Sequence, residues 1–184
     1  MRVLGKGCSG KVLLARYKQR HQLYAIKAIH KKHVLAHREL AHTLTEQKIL
    51  KKMATLRLSP YIVDLAWSFQ DADNLFLCLD FHRGGDLATQ LSVWGRLGKD
   101  RTRFYTAEIV DGLECLHTNG IIYRDLKPEN VLLSAIGHVI LTDFGLSKQF
   151  ERKSDVVPTA YWMAPSQNPA GMRGFDAAET TMTL

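Results

Sequence analysis

The sequence has few cysteines and no long apolar run. Its three cysteines, Cys8, Cys78 and Cys115, lie far apart and are odd in number, which argues against a disulfide framework and favours a reducing compartment. They form no closely spaced pair of the kind that binds zinc. No apolar stretch approaches the ~20 residues of a membrane helix, and the N-terminal residues lack the apolar core of a signal peptide. We therefore expect an intracellular protein, cytoplasmic or nuclear, without a membrane span.

The rest of the composition is that of an ordinary globular protein. The 184 residues suit one domain or two small lobes that share a cleft, and 46% hydrophobic and 23% charged residues are usual values. The formal net charge is +7, but the basic residues are spread over 18–52 without a nucleic-acid-binding motif. The charge therefore favours acidic surfaces or anionic nucleotides as partners, and we expect no nucleic-acid binding.

A polar loop between two apolar segments carries the residue types that phosphoryl transfer needs. Residues 121–133 contain Asp125, Lys127 and Asn130 between apolar runs, and Asp143 follows after one further hairpin. Transfer of a metaphosphate-like group requires a divalent cation held by hard oxygen ligands and a base directed at the incoming hydroxyl. Asn130 and Asp143 can supply the metal ligands, and Asp125 can accept the proton.

A glycine-rich segment near the N-terminus can approach phosphate groups closely. Gly5, Gly7 and Gly10 have the spacing G-x-G-x-x-G, and glycines so spaced let backbone N–H groups turn toward a phosphate. The same spacing occurs in dinucleotide-binding folds, where it opens a helix. Here the segments that follow, 12–17 and 23–29, are apolar with a polar turn between them and predict a β-hairpin. The glycine-rich segment is therefore expected to lie between strands.

These motifs together resemble the serine/threonine protein kinases. Residues 123–130 match the catalytic-loop motif H-R-D-L-x-x-x-N, with Tyr123 in place of the histidine, and residues 143–145 match D-F-G. The Tyr-Arg-Asp variant followed by Lys-Pro-Glu-Asn is most similar to the AGC group. The resemblance covers residues 4–165 and implies an α+β, two-lobed fold. The expected parts are a small β-rich N-lobe with one long helix at 1–81, a mostly helical and incomplete C-lobe at 82–165, and a divergent tail at 166–184.

The resemblance implies ATP and Mg²⁺ as cofactors and a protein hydroxyl as the phosphoryl acceptor. Lys27 lies in a V-A-I-K-like strand, where it would orient the phosphates and pair with a glutamate on the next helix. Glu46 is favoured as that partner, and Glu39 is the other candidate. Asp125 would be the catalytic base, and Lys127 would neutralise charge on the transferring phosphoryl group. The Lys-Pro-Glu triplet that begins at Lys127 favours serine or threonine over tyrosine.

The adenosine part of the nucleotide is expected between the lobes. By resemblance, the backbone of Asp80 to His82 would bond adenine at a hinge, with Leu79 as gatekeeper. Asp86 would contact the ribose or a basic substrate residue, and it can also serve as a helix N-cap. Val12, Ala25 and Leu132 would sandwich the adenine. The expected nucleotide-binding residues are Leu4, Gly5, Gly7, Gly10, Val12, Ala25, Lys27, Leu79, Asp80, His82, Asp86 and Leu132.

Hydrophobic periodicity predicts the secondary structure that carries these motifs. One helix is predicted over 36–53, followed by strands within 60–69 and 75–79. A short helix is predicted over 87–94 and a longer one over 100–117, which an Asn-Gly pair ends. By resemblance, a hydrophobic stack that links the lobes consists of Leu50, Leu65, Tyr123 and Phe144.

The C-terminal part departs from the kinase pattern. Ser166 stands where the family has the glutamate of A-P-E, although Thr159 matches the threonine beside the catalytic aspartate. No threonine occupies the usual phosphorylation position; Ser154 can accept a phosphate and Asp155 can imitate one, with Arg124 as the cation that receives it. We expect a truncated kinase with an upstream kinase or regulatory partner. The alternative is a weakly active or inactive fragment that binds nucleotide or partners.

Overall fold

A computed structural model describes residues 2–7 and 10–150. Ser154, Asp155, Thr159 and Ser166, for which the sequence raised expectations, lie outside the described residues. The strands are β1 (Arg2–Gly7), β2 (Gly10–Arg16), β3 (Leu23–His30), β4 (Leu65–Gln70), β5 (Asn74–Asp80), β6 (Ile121–Ile122), β7 (Val131–Leu133), β8 (Val139–Leu141) and β9 (Lys148–Gln149). The helices are α1 (Lys31–Ala36), α2 (Leu40–Leu56), α3 (Leu87–Trp94) and α4 (Lys99–Thr118), with a 3₁₀ turn at Pro128–Asn130.

The first half of the chain forms a five-stranded antiparallel sheet in the order β1-β2-β3-β5-β4. The hairpin predicted from residues 12–17 and 23–29 is confirmed as the pairing of β2 with β3. The glycine-rich segment connects β1 to β2, so its predicted place between strands is also confirmed. The register sets Val12 opposite Lys27 and Ala25 opposite Leu79. The sheet thus gathers four of the expected nucleotide-binding residues on neighbouring strands.

The single helix predicted over 36–53 is wrong in its N-terminal part. Helix α1 ends at Ala36 and α2 begins at Leu40. Between them Arg38 has a φ of 57°, which a continuous right-handed helix does not contain. Helix α2 then runs to Leu56 and ends at Arg57, whose left-handed conformation lets its N–H bond the carbonyl of the preceding turn.

The strand predicted within 60–69 is confirmed only from Leu65 onward. The preceding residues leave the sheet and meet β8 in the other half of the chain. The Val63 N–H donates to the Leu141 carbonyl at 3.0 Å, and the Leu141 N–H donates to the Tyr61 carbonyl at 2.7 Å. Ile62 and Val63 of this segment are buried, and the backbone hydrogen bonds join the segment to β8.

The second half, as far as Phe150, contains α3, α4 and two small antiparallel sheets, β6–β9 and β7–β8. Helix α3 has the predicted bounds, and α4 extends one residue beyond its prediction at each end. Gly112 on α4 allows close packing, since a Cβ there would lie 3.0 Å from the Leu141 side chain. One hydrophobic core runs through both halves. It includes Ile49, Leu50, Val63, Leu77, Leu116, Tyr123, Val139 and Phe144.

Glu108 is a buried carboxylate that attaches the β7–β8 hairpin to α4. It is 5% exposed, and its Oε2 accepts the Val139 N–H at 2.9 Å while its Oε1 contacts His138 Nδ1. We expect Glu108→Ala to lower the free energy of unfolding by about 2 kcal/mol, because it leaves a buried N–H without an acceptor. Urea denaturation measures this. Glu114→Ala, an exposed change on the same helix, is the control, and an equal loss in both variants would contradict the assignment.

Candidate active site

Lys27 connects three separate parts of the chain. On β3, its Nζ lies 2.8 Å from Glu46 Oε1 of α2 and 3.3 Å from Asp143 Oδ1 beyond β8. Of the two glutamates considered from the sequence, Glu46 is the one that meets Lys27. Glu39 precedes α2 and lies 4.0 Å from His33 instead. Of the two candidate carboxylates, Glu46 therefore lies within α2, whereas Glu39 lies just before its first residue.

Burial and charge act in opposite directions on this cluster. Burial disfavours the Lys27 ammonium, but the carboxylates of Glu46 and Asp143 outweigh it and hold the pKa of Lys27 above its usual value. Burial also raises the pKa of Glu46, against the opposing attraction of Lys27. Glu46 is only 3% exposed, so water cannot replace its partner. The ammonium beside it favours the charged carboxylate against this effect of burial.

The catalytic-loop residues also converge. Lys127 Nζ donates to both carboxylate oxygens of Asp125, at 3.1 Å and 2.9 Å. Asn130 Nδ2 donates to the Asp125 Oδ2 at 2.8 Å and to the Asp125 carbonyl at 3.0 Å. The hydrogen bond to Asp125 raises the pKa of Lys127. The 3₁₀ turn that ends at Asn130 folds the loop back on itself, and this brings all three side chains to one place.

Two non-glycine residues of the site have a left-handed backbone. The φ angles of Arg124 and Asp143 are 64° and 59°, a region that residues other than glycine visit rarely. The Arg124 Nε donates to the Leu146 carbonyl at 2.9 Å, and the Thr142 N–H donates to the Asn130 carbonyl at 3.0 Å. These bonds hold both sharp turns and so fix where the adjacent carboxylates, including that of Asp125, are directed. No sequence signal indicated this conformation.

Tyr123 of the catalytic loop packs against Phe144 in the core. Tyr123 and Phe144 are 1% and 0% exposed, and their ring centroids are 5.4 Å apart. The Tyr123 hydroxyl donates to the Thr142 carbonyl, and burial raises the pKa of this hydroxyl. Leu50 belongs to the same core and Leu65 packs against it. All four members of the expected stack therefore lie in or against one continuous core.

The residues expected around adenine are half-buried and lie on strands of two different sheets. Val12 and Ala25 on β2 and β3 are half-buried, as is Leu132 on β7. Leu132 is less buried than its neighbours Val131 and Leu133, and it packs against the edge of the core that they enter. These positions are suited to line a cleft.

The chain between β5 and α3 is fixed to β7 through a glycine. The Gly84 N–H donates to the Leu133 carbonyl at 2.9 Å, and the Leu133 N–H donates to the Gly85 carbonyl at 2.8 Å. A Cβ on Gly84 would lie 2.6 Å from that carbonyl oxygen. Asp86 acts as the N-cap of α3, since its oxygens accept the Thr89 N–H at 2.7 Å and the Thr89 hydroxyl at 2.8 Å. The packing role of Gly84 was missed from the sequence.

Burial perturbs two side chains of the expected hinge. Burial raises the pKa of Asp80, and the negative charge of the nearby Asp64 adds to this effect. Burial also lowers the pKa of His82, although the negative charges of Asp80 and Asp64 oppose this shift. Both effects favour uncharged side chains beside the cleft. Leu79, which precedes them, is 8% exposed and lies opposite both Ala25 and Leu65 in the sheet.

The three glycines of the N-terminal segment differ in their surroundings. No non-neighbouring atom of the described residues lies within 4 Å of a Cβ built on Gly5 or Gly7, whereas one on Gly10 would lie 1.9 Å from the Ala28 carbonyl oxygen. Gly10 is therefore required by the close approach of β2 to β3. Gly5 and Gly7 border open space, as the approach of a ligand to the backbone requires. Leu4 beside them is 42% exposed.

The chain matches the protein kinase domain family over residues 1–168. It belongs to the protein kinase family. The chain is 49% identical over 148 residues to the serine/threonine-protein kinase SCH9 of Candida albicans, which is 80% of this chain and 19% of that protein. The chain is 46% identical over 149 residues to the RAC family serine/threonine-protein kinase homolog of Dictyostelium discoideum, which is 81% of this chain and 33% of that protein. The chain is also 43% identical over 169 residues to the serine/threonine-protein kinase Sgk2 of Rattus norvegicus, which is 90% of this chain and 45% of that protein.

These relatives confirm the resemblance to AGC-type serine/threonine kinases and the expected kinase fold. The chain spans between about a fifth and a half of the length of the three relatives. Protein kinases in general use ATP and a divalent metal ion. Within residues 2–7 and 10–150, no helix is long and apolar enough to cross a membrane.

Proposed function

We propose that the chain provides the catalytic site of an ATP-dependent serine/threonine protein kinase. The observation that carries this proposal is the position of Lys27 Nζ between Glu46 and Asp143. This single contact set connects the glycine-rich sheet, helix α2 and the D-F-G segment. Phosphoryl transfer in protein kinases requires these parts to be in place together, because positioning and charge stabilisation supply most of the catalysis.

The residues present fit Mg-ATP. The Asp143 carboxylate is 45% exposed, and with the amide oxygen of Asn130 it offers the hard ligands that Mg²⁺ prefers. When bound, Mg²⁺ neutralises charge that develops on the phosphates. The Lys27 ammonium, held by Glu46, is placed to orient the phosphates, and the backbone at Gly5 and Gly7 is open to their approach.

The adenosine would occupy the space lined by Val12, Ala25 and Leu132. Leu79 would close its inner end, and backbone groups of Asp80 to His82 would bond the adenine edge. Leu4 on β1 and Gly10 on β2 would contribute to the wall on the side of the sheet. Asp86 fixes the start of α3, and a contact of its carboxylate with the ribose or with a basic substrate residue is part of the proposal.

Asp125 is proposed as the base for the substrate hydroxyl. The serine or threonine oxygen attacks the γ-phosphorus, the bond from that phosphorus to the β,γ-bridging oxygen breaks, and Asp125 accepts the hydroxyl proton. Lys127 and Asn130 hold the Asp125 carboxylate through three hydrogen bonds, and Asn130 also donates to the Asp125 carbonyl. Lys127 is also placed to stabilise negative charge on the transferring group.

The proposal extends to the cellular setting and the lobes. We assign residues 1–81 to the N-lobe, 82–165 to the C-lobe and 166–184 to a divergent tail. An intracellular location, cytoplasmic or nuclear, suits the free thiols of Cys78 and Cys115; burial raises the pKa of Cys78 to about 11, which keeps it protonated. The proposed partners are a protein substrate and an upstream kinase or regulatory protein, without nucleic acid.

The test is transfer of labelled phosphoryl from γ-labelled ATP to peptides that contain serine, threonine and tyrosine acceptors. We expect label on serine or threonine, dependent on Mg²⁺, and none on tyrosine. Label on tyrosine would contradict the assigned specificity. Mg-ATP binding without any transfer would support the alternative, a non-catalytic module that binds nucleotide.

A further inference from the structure

Helix α2 is attached to the second half of the chain by a lysine near its C-terminal end. Lys52 Nζ donates to the Asn119 carbonyl oxygen at 2.6 Å, across 67 residues of sequence. Lys52 is half-buried, whereas its neighbour Lys51 is exposed. The contact is therefore specific to one of two adjacent lysines.

The acceptor is the C-cap of helix α4. The last carbonyls of a helix lack intrahelical donors and carry partial negative charge, so an ammonium is stabilising there. The Asn119 N–H donates to the Leu116 carbonyl at 3.0 Å, and its side-chain Nδ2 donates to the Cys115 carbonyl at 2.8 Å. Asn119 is thus held by its own helix, and its carbonyl is a fixed point to which Lys52 attaches α2.

The same junction receives the segment that follows D-F-G. The Phe150 N–H donates to the Gly120 carbonyl at 2.8 Å, so Lys52 and Phe150 bind consecutive carbonyls. Gly120 has a φ of 72°, and a Cβ there would lie 2.9 Å from the Phe150 carbonyl oxygen. Strand β6 begins directly afterwards and leads into the catalytic loop. Three segments therefore meet at Asn119 and Gly120: α2, the entrance to the catalytic loop, and the chain after β9.

We propose that Lys52 is a positioning residue that sets the place of α2 relative to the catalytic loop and acts on Lys27 through Glu46. This inference rests on the proposed function. Glu46 and Lys52 lie on one helix whose intervening residues Ile49 and Leu50 are buried in the core. Because a helix is stiff, a shift of its Lys52 end displaces the Glu46 carboxylate. Without the Lys52 contact, a smaller fraction of molecules holds Lys27 in the nucleotide-binding position.

The attachment itself is tested without nucleotide. We expect Lys52→Ala to speed amide hydrogen exchange in α2 and at residues 119–121 by about three- to tenfold, as for loss of a partly exposed charge-assisted hydrogen bond. Lys52→Arg, which can still donate to the carbonyl, restores slow exchange. Lys51→Ala removes the same charge from an exposed position and leaves exchange unchanged. Equal exchange in the Lys52→Ala and Lys51→Ala variants would overturn the attachment.

The action through Glu46 is tested by a double-mutant cycle on Mg-ATP affinity. We expect Lys52→Ala to raise the dissociation constant about three- to tenfold in the wild-type background and to add little in a Glu46→Gln background. A purely structural role would give the same factor in both backgrounds, and that result would overturn the proposal. If the wild-type chain binds no Mg-ATP, the proposed function fails and the action on Lys27 fails with it, while the exchange measurement separately decides whether Lys52 attaches α2.

Discussion

Asp125→Asn is expected to lower the rate of phosphoryl transfer by about 10²- to 10⁴-fold, the usual contribution of a positioned general base. Asparagine keeps the size of the side chain and one oxygen acceptor for Lys127 and Asn130, but it cannot take the hydroxyl proton. Mg-ATP affinity should change little, because the described contacts of Asp125 lie within the catalytic loop and not with Lys27. Initial rates at saturating Mg-ATP measure the first effect, and a nucleotide titration measures the second.

Glu129→Gln is the matched control for this variant. Glu129 lies in the same loop, is exposed, and undergoes the same change from carboxylate to amide. We expect its transfer rate to stay within about twofold of wild type, as for an exposed change that leaves the hydrogen bonds of Asp125 in place. Undiminished transfer in Asp125→Asn would remove Asp125 from the proposed role of base. An equal loss in both variants would mean that the loop responds to charge alone.

Lys27→Met is expected to abolish detectable Mg-ATP binding and transfer and to destabilise the fold by about 2–3 kcal/mol. Loss of one partner of a buried ion pair costs about 3–5 kcal/mol, and the lower figure allows for the 23% exposure of the Lys27 side chain. Glu46 is left as an unpaired carboxylate that burial already disfavours. Urea denaturation and nucleotide titration measure the two effects.

The loss of stability in Lys27→Met should depend on pH. Burial holds the folded-state pKa of Glu46 above its unfolded value, and removal of Lys27 raises it further. The folded variant then binds more protons than the unfolded one, so its stability falls as pH rises above the unfolded pKa of glutamate. We expect the gap between variant and wild type to narrow as pH is lowered from 7 to 5. A gap that widens would contradict this account of Glu46.

Two further variants distinguish the effect of the buried charge on stability from the role of Lys27 in phosphoryl transfer. Lys27→Met combined with Glu46→Gln should recover most of the lost stability, because no unpaired charge stays buried, while transfer stays absent. Lys11→Met changes an exposed lysine on the neighbouring strand and should alter neither stability nor nucleotide binding. A Lys27→Met variant as stable as wild type would show that the buried pair contributes nothing to the fold.

The strands and the outline of the site could be predicted because their signals are local. Alternating apolar residues and the polar turn at 18–22 determine the pairing of β2 with β3, and fixed motif spacings indicate Asp125, Asn130 and Asp143. Helix α1 was not predicted, and neither was the break between α1 and α2, since no glycine or proline marks it. Arg38 has a left-handed φ, although arginine is not a residue type that signals this conformation.

Other parts of the site depend on contacts that no motif encodes. Sequence spacing alone allows Glu39 or Glu46 as the partner of Lys27; the resemblance favoured Glu46, and the structure shows that contact. The contact of Lys52 with Asn119 depends on the relative placement of two helices far apart in the chain. Such contacts require the folded arrangement, whereas motif residues are recognisable from their neighbours.

The central claim is that Lys27, Glu46 and Asp143 form one Mg-ATP site, and thermal unfolding of the chain with and without Mg-ATP tests it most directly. A ligand that binds only the folded state stabilises it by about 2.7 kcal/mol at a hundred times its dissociation constant. We predict a cooperative transition whose midpoint rises with Mg-ATP, rises less with ATP and a chelator, and does not move in Lys27→Met. A cooperative transition that Mg-ATP leaves unmoved, or an equal rise in Lys27→Met, would contradict the claim.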